Sequence, residues 1–157
     1  MQLHLPGFEN REYTKVKAPI TFESPEPYDK LPTPTLVIRN KGEAWKNPFV
    51  VVFEPFNETE TATIQSVEKL EENGLYKGLK IESNTPSETL IQYVITQSKN
   101  EVFNDKALGI YFKGTFAVIT LSENQSLKSI YIGEGDKLTY KNETIETYAS
   151  KTYCKTY

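Results

Sequence analysis

The sequence predicts an all-β protein, an antiparallel β-sandwich of about ten short strands with little or no helix. The 10 tyrosines and 8 phenylalanines accompany many Thr, Val and Ile residues, a composition typical of pleated strands. Short runs of these residues alternate with turn residues along the chain. The 157 residues suit one domain with one core. We therefore predict a single domain over residues 1–157. Within it, residues 1–10 are a mobile segment that either leads in from an upstream domain or marks where expression of the chain was made to begin.

The first predicted strands surround a proline-rich segment. Residues 11–19 form an early strand, at an edge because lysines fill one face. Residues 19–34 carry prolines at 19, 25, 27, 32 and 34, which excludes regular ladder pairing and predicts an extended crossing. Strands at 35–40 and 48–54 follow. The continuous apolar run Phe49–Phe53 predicts burial on both faces or a central place in the sandwich.

The second half of the chain is predicted to consist of hairpins. The predicted strands are 62–67, 75–83, 87–98, 108–112, 115–121, 126–135 and 137–148. Turns are predicted at Asn73-Gly74, Lys113-Gly114 and Lys141-Asn142. Residues 66–72 fit either a short helix that stops at Asn73-Gly74 or a strand, and we favour the strand because so short a helix is marginal alone.

Charge and composition exclude several classes of function. A net charge of −3 and a pI near 5.3 argue against a nucleic-acid-binding face. No apolar run approaches the roughly 20 residues that a membrane helix needs. The single cysteine, Cys154, forms neither an internal disulfide nor a Cys-type zinc site. The N-terminal stretch lacks a basic region before a long apolar one, so we predict no signal peptide in this chain.

Proton-transfer and metal chemistry find little support in the sequence. Histidine is the usual proton carrier near neutral pH, and the single one, His4, lies in a terminal segment without an evident partner. Glu54 ends the apolar run and is the best single candidate for a carboxyl group with a chemical role. We favour the alternative that it accepts hydrogen bonds from nearby loop amides. No His pair and no calcium-loop motif is present. We predict no catalytic residue, no metal site and no cofactor.

Three neighbouring residues are candidates for ligand binding. The flat ring of Trp45 can stack on a sugar, while Arg39 and Glu43 can bond hydroxyl or carboxylate groups. The alternative is that Trp45 caps one end of the core.

A set of short stretches carries a family resemblance. They are His4–Gly7, Arg11-Glu12, Ala18-Pro19, Pro34–Arg39, Gly42–Trp45, Pro48–Pro55, Ser129–Gly135 and Leu138–Tyr140. In this order they resemble the C-terminal β-sandwich domain of heparinase II/III-like polysaccharide lyases of the Bacteroidetes type. The similarity spans nearly the whole chain, and the block from 34 to 55 is its most specific part.

The resemblance implies a place in a larger enzyme. In that family an upstream α-helical toroid partners the β-domain, the glycan cleft lies between them, and the reaction is β-elimination on uronic-acid glycans. Because His4 matches no catalytic motif of the family, the resemblance implies a non-catalytic domain that supports the cleft and contacts acidic polysaccharide, in a periplasmic or secreted bacterial protein. The alternative is a free-standing carbohydrate-binding or adhesion module. We expect no nucleic-acid or membrane partner.

Overall fold

The computed structural model describes residues 1–7, 11–18, 33–44, 46–57, 59, 61–148 and 152–157. Within these ranges every regular element is a strand, so the all-β prediction is confirmed. The described ranges include no helix long and apolar enough to cross a membrane. The predicted crossing at 19–34 lies outside them, apart from its last two residues.

Eleven antiparallel strands occur in the described part of the chain. They are β1 (Gln2–His4), β2 (Arg11–Ala18), β3 (Thr33–Asn40), β4 (Val52–Glu54), β5 (Ile64–Glu72), β6 (Leu75–Asn84), β7 (Thr89–Asp105), β8 (Ile110–Ser122), β9 (Leu127–Tyr140), β10 (Glu143–Glu146) and β11 (Tyr153–Thr156). They form one seven-stranded sheet and two two-stranded sheets. Strands β7, β8 and β9 have 17, 13 and 14 residues, which is longer than the short strands that we predicted.

The seven-stranded sheet is a meander of neighbouring hairpins. Its order is β10-β9-β8-β7-β6-β5, and β11 also pairs with β9. Asn73 and Gly74 have φ angles of 53° and 74° between β5 and β6, so the predicted tight turn is confirmed. Lys141 has a φ of 52° between β9 and β10, where the turn at Lys141-Asn142 was predicted. Residues 66–72 lie in β5, which confirms the strand alternative.

The predicted turn at Lys113-Gly114 is wrong, because β8 runs through it as an irregular but continuous strand. The pairing register shifts on both sides of Gly114, which faces Gly135 of β9. A Cβ on Gly135 would lie 2.8 Å from the Phe112 ring, so the close approach needs glycine. The side-chain amide of Gln97 donates to the Gly114 carbonyl at 2.9 Å beside a similar irregularity in β7. The long strands therefore bend here instead of ending.

The bend lets the sheet enclose its own core. Side chains from both halves of β7, β8 and β9 meet in one apolar cluster. Its fully buried members are Ile95, Phe103, Ile110, Phe112, Ile119, Leu121, Ile130, Ile132 and Leu138. Each such side chain contributes about 1.5–3 kcal/mol by leaving water. This cluster makes the seven-stranded sheet the stable part of the described molecule.

The two small sheets lie in the first part of the chain, and we call them the N-terminal ribbons: β1 with β4, and β2 with β3. The prediction that Phe49–Phe53 is a buried central strand is wrong. Only Val52–Glu54 pairs, and Phe49 and Phe53 are 59% and 61% exposed. A run of apolar residues favours burial, but it does not show whether other residues of the same chain provide that burial.

Candidate functional site

A carboxylate–histidine pair lies where the first ribbon meets the large sheet. The register of β1 and β4 places His4 opposite Val52 and Gln2 opposite Glu54, so His4 and Glu54 share one face. The His4 Nε2 atom is 2.9 Å from Glu54 Oε2, and both side chains are largely buried. The expectation that His4 has no partner is wrong, whereas the mobility of residues 1–10 stays a prediction. Its partner lies fifty positions away, beyond the reach of any spacing argument.

Glu54 also holds the start of β5. Its Oε1 atom accepts hydrogen bonds from the Thr63 amide, from the Thr63 hydroxyl at 3.0 Å and from the Ile64 amide at 3.0 Å. Burial raises the pKa of this carboxyl, but the hydrogen bonds from Ile64, His4 and Thr63 outweigh it and lower the pKa to about 2. Glu54 is therefore ionised at neutral pH and unsuited to general-acid chemistry. The prediction that it bonds loop amides is confirmed.

Beside this junction lies a cleft of about 820 Å³, within the size range of small-ligand sites. Its walls are Phe53, Glu54, Pro55, Phe56, Thr59, Thr61, Thr63, Ile64, Asn84, Thr85 and Pro86. The segment after β4 forms one side, and the end of β6 with the turn that follows it forms the other. We call this space the β4–β6 cleft.

The β4–β6 cleft combines apolar rings with neutral hydrogen-bonding groups. Phe53 and Phe56 are exposed, while Thr61 and Asn84 offer a hydroxyl and an amide. Among its described lining residues there is no Lys or Arg, and both oxygens of Glu54 are already engaged. Such a lining suits the C–H face and hydroxyls of an uncharged sugar better than a carboxylate or sulfate.

The residues that we predicted as ligand-binding lie elsewhere. Arg39 is exposed on β3 and pairs in register with Glu12 of β2. Glu43 lies in the turn after β3, where its carboxylate is 2.8 Å from Lys46 Nζ. Neither residue lines the β4–β6 cleft. Trp45 is outside the described residues, so its role and the binding role of all three stay predictions.

Metal-binding side chains are not clustered in the described ranges. No group of three or more His, Cys, Asp or Glu residues there is placed to hold an ion. The cleft itself carries no sequence motif, because its walls are assembled from segments about thirty positions apart whose individual residues look like ordinary turn residues.

Comparison with known proteins places this architecture in a family. The family described as "endo-acting ulvan lyase C-terminal domain" matches residues 64–157. A protein of Formosa agariphila, named an endo-acting ulvan lyase, is 35% identical over 158 residues, which cover 100% of this chain and 19% of that protein. The chain thus spans about a fifth of the length of the curated relative that it matches. No solved structure matches it. The family match begins at the first residue of β5 and includes the whole seven-stranded sheet.

Proposed function

Since this chain belongs to the family of endo-acting ulvan lyase C-terminal domains, we propose that it is the non-catalytic β-sandwich region of such a lyase and supports the glycan cleft of its catalytic part. The observation that carries the proposal is the agreement between the family match and the seven-stranded sheet. The relative is similar over the N-terminal ribbons as well. We extend the proposal to the whole chain acting as one domain.

The described side chains support a role without proton transfer. Elimination requires a base beside the proton to be removed and a group that neutralises the adjacent carboxylate. The ring of His4 is bonded to an ionised carboxylate. Burial raises the pKa of Tyr93 and of Tyr76, which makes their phenolates harder to form. These groups serve structure better than they would serve catalysis.

The finer assignments are also part of this proposal. The parent protein is a heparinase II/III-like lyase with an upstream α-helical toroid, acts on ulvan by β-elimination, and is periplasmic or secreted. The resemblance of the stretch from 34 to 55 supports the subclass, and the name of the Formosa agariphila relative, an endo-acting ulvan lyase, supports the substrate.

The test is to incubate the purified chain with ulvan and to follow the ultraviolet absorbance of unsaturated product. We expect none from the chain alone. We expect cleavage by a chimera in which this chain replaces the matched segment of the Formosa agariphila lyase. Product formed by the chain alone would overturn the non-catalytic assignment, and a folded chimera without activity would overturn the supporting role.

A second candidate function, carbohydrate binding by the isolated domain, is favoured by the β4–β6 cleft. Titration with neutral and with acidic oligosaccharides, followed by NMR, tests it. We expect neutral sugars to shift signals of Asn84 and Thr61, and Phe56→Ala to weaken the response about tenfold, since one aromatic contact contributes roughly 1–1.5 kcal/mol. Phe116→Ala is the matched control, because Phe116 is equally exposed on the large sheet. Shifts from acidic sugars alone would argue against this cleft.

A further inference from the structure

Exposed apolar side chains concentrate among residues 1–56 of the described chain. Those present there are Met1, Leu3, Tyr13, Val16, Leu36, Phe49, Phe53 and Phe56. The seven-stranded sheet, in contrast, buries its apolar face within its own fold. Large exposed apolar patches on a folded protein commonly mark a surface that another body covers.

The ribbon of β1 and β4 has one attached face and one open face. His4 and Glu54 lie on the attached face, where Glu54 accepts hydrogen bonds from the start of β5. Leu3 lies directly opposite Phe53 on the other face, and both are exposed. The open face is therefore an apolar cross-strand pair presented to solvent.

The ribbon of β2 and β3 is open as well. Tyr13 and Leu36 share one face, and their side chains are 46% and 39% exposed. Lys15 and Lys17 flank them on that face, and both are exposed. An isolated two-stranded sheet is at best marginally stable in water, so a ribbon with exposed apolar residues on it needs further packing.

The two ribbons are linked to each other, which gives them a defined shape for a partner. The guanidinium of Arg11 in β2 donates to the Pro48 carbonyl at 2.8 Å and lies 5.4 Å from the centre of the Phe49 ring. The side-chain amide of Asn40 in β3 donates to the Asn47 carbonyl at 2.5 Å. The end of the second ribbon is thus joined to the segment that leads into β4.

We infer that the N-terminal ribbons are the docking surface for the remaining part of the lyase polypeptide, with Leu3, Phe53, Tyr13 and Leu36 at the buried contact. The inference rests on the proposed function. The relative aligns with the ribbons and has about four fifths of its length outside the aligned region, which supplies an occupant of sufficient size. The family match begins at Ile64, so the ribbons lie outside the part of the chain that the family shares. The chemistry of the ribbons calls for a partner surface with an apolar centre and acidic groups facing Lys15 and Lys17.

Hydroxyl-radical footprinting of the isolated chain and of the lyase chimera tests this inference. In the chimera we expect the four docking side chains to react about fivefold more slowly, because the centre of an interface excludes water. The controls are Val102 on the large sheet and Tyr148 after the end of β10, 43% and 87% exposed, and their reactivity should stay the same. Equal reactivity of the docking side chains in the two proteins would overturn the inference.

Ulvan cleavage by the same chimera separates the two proposals. An active chimera with unchanged footprints would reject the docking surface and leave the proposed function standing. An inactive chimera whose docking side chains are protected would reject the supporting role and retain the surface.

A variant guards against a misfolded chimera. Leu36→Lys in the isolated chain should leave its melting temperature unchanged, because Leu36 is exposed, but it should restore radical reactivity at Tyr13 in the chimera. Val102→Lys is the control and should not. If the isolated chain instead forms a dimer that Leu36→Lys dissociates, as measured by analytical ultracentrifugation, the surface belongs to a second copy and the inference is wrong.

Discussion

The N-terminal ribbons and the seven-stranded sheet contain similar apolar residues, but the sheet buries their side chains and the ribbons leave them exposed. Phe112 in the large sheet is fully buried, whereas Phe53 in the first ribbon is 61% exposed. Both belong to strands, and both lie among other apolar residues. What separates them is the number of neighbouring strands and the bend of the long strands beside the buried cluster. Composition therefore determines which segments form strands, and topology determines which of them are covered.

The largest effect should come from replacing a ring on each side of this comparison. We expect Phe112→Ala to lower the free energy of unfolding by about 3–5 kcal/mol, because it leaves a cavity in the core. The matched change Phe53→Ala should stay within about 0.5 kcal/mol in the isolated chain. Urea unfolding followed by circular dichroism measures both. Equal losses would show that the two regions share one core.

A second effect concerns the bend. Gly135→Ala should cost about 1–3 kcal/mol, because the new methyl group would press on the Phe112 ring and on the Lys113 carbonyl, each 2.8 Å away. Gly7→Ala is the control, since nothing lies within 4 Å of a Cβ placed there. Thermal melts of the two variants compare them. A stable Gly135→Ala variant would mean that the long strands can bend elsewhere.

The third prediction concerns the link between the regions. The pKa of Glu54 is lower in the folded chain than its ordinary value of 4.5, so its ionised form stabilises the junction at any pH above 4.5. This stabilisation should be lost as the pH falls toward about 2. Glu54→Gln should loosen the first ribbon by about 1–2 kcal/mol at neutral pH, because charged hydrogen bonds are lost.

NMR methyl signals of Leu3 and Val52, recorded from pH 7 to pH 2, report on this link. In the parent they should broaden or shift only in the acid range, and in Glu54→Gln they should be altered throughout. Glu146→Gln, an exposed change on the large sheet, should leave them as they are. Signals insensitive to both acid and substitution would contradict the assigned role of Glu54.

The smallest effect on stability is expected in the apolar run Phe49–Phe53, which the sequence alone predicted to be part of the core. Val51→Asp places a charge in the run Phe49–Phe53, but Val51 is only half-buried and precedes a three-residue strand. We expect the main unfolding transition to change by less than about 0.5 kcal/mol. Differential scanning calorimetry measures it, with Ile119→Asp in the buried cluster as the contrasting change. Loss of the cooperative transition in Val51→Asp would restore the central strand that the sequence predicted.

Local signals in the sequence identified much of the large sheet. Asn73 and Gly74 form a turn because both residues accept positive φ angles at low cost, and such preferences act within a few positions. At the other correctly predicted turn the positive φ is on Lys141, not on the neighbouring Asn142. The strand character of residues 66–72 was also accessible, since a helix of that length cannot stabilise itself. Lys113-Gly114 misled the same reasoning, because glycine permits a bend within a strand as readily as a turn between two.

Long-range features were beyond the sequence. The contact of His4 with Glu54 depends on the register of β1 against β4, and nothing near either residue specifies it. The β4–β6 cleft depends on how the segment after β4 approaches the end of β6. Arg39 and Glu43 were proposed as binding residues from their nearness in sequence to Trp45, a reason that carries no information on which surface is concave.

The arrangement around β9 limits how this domain associates with itself. A strand of 14 residues at the margin of a sheet would offer a long row of unpaired amides and carbonyls to other molecules. Instead β10 occupies one half of that margin and β11 the other, each with four residues. The opposite margin, β5, carries Glu68, Lys69 and Glu71, whose charges oppose stacking of copies. The seven-stranded sheet therefore offers few free strand edges through which copies of it could polymerise.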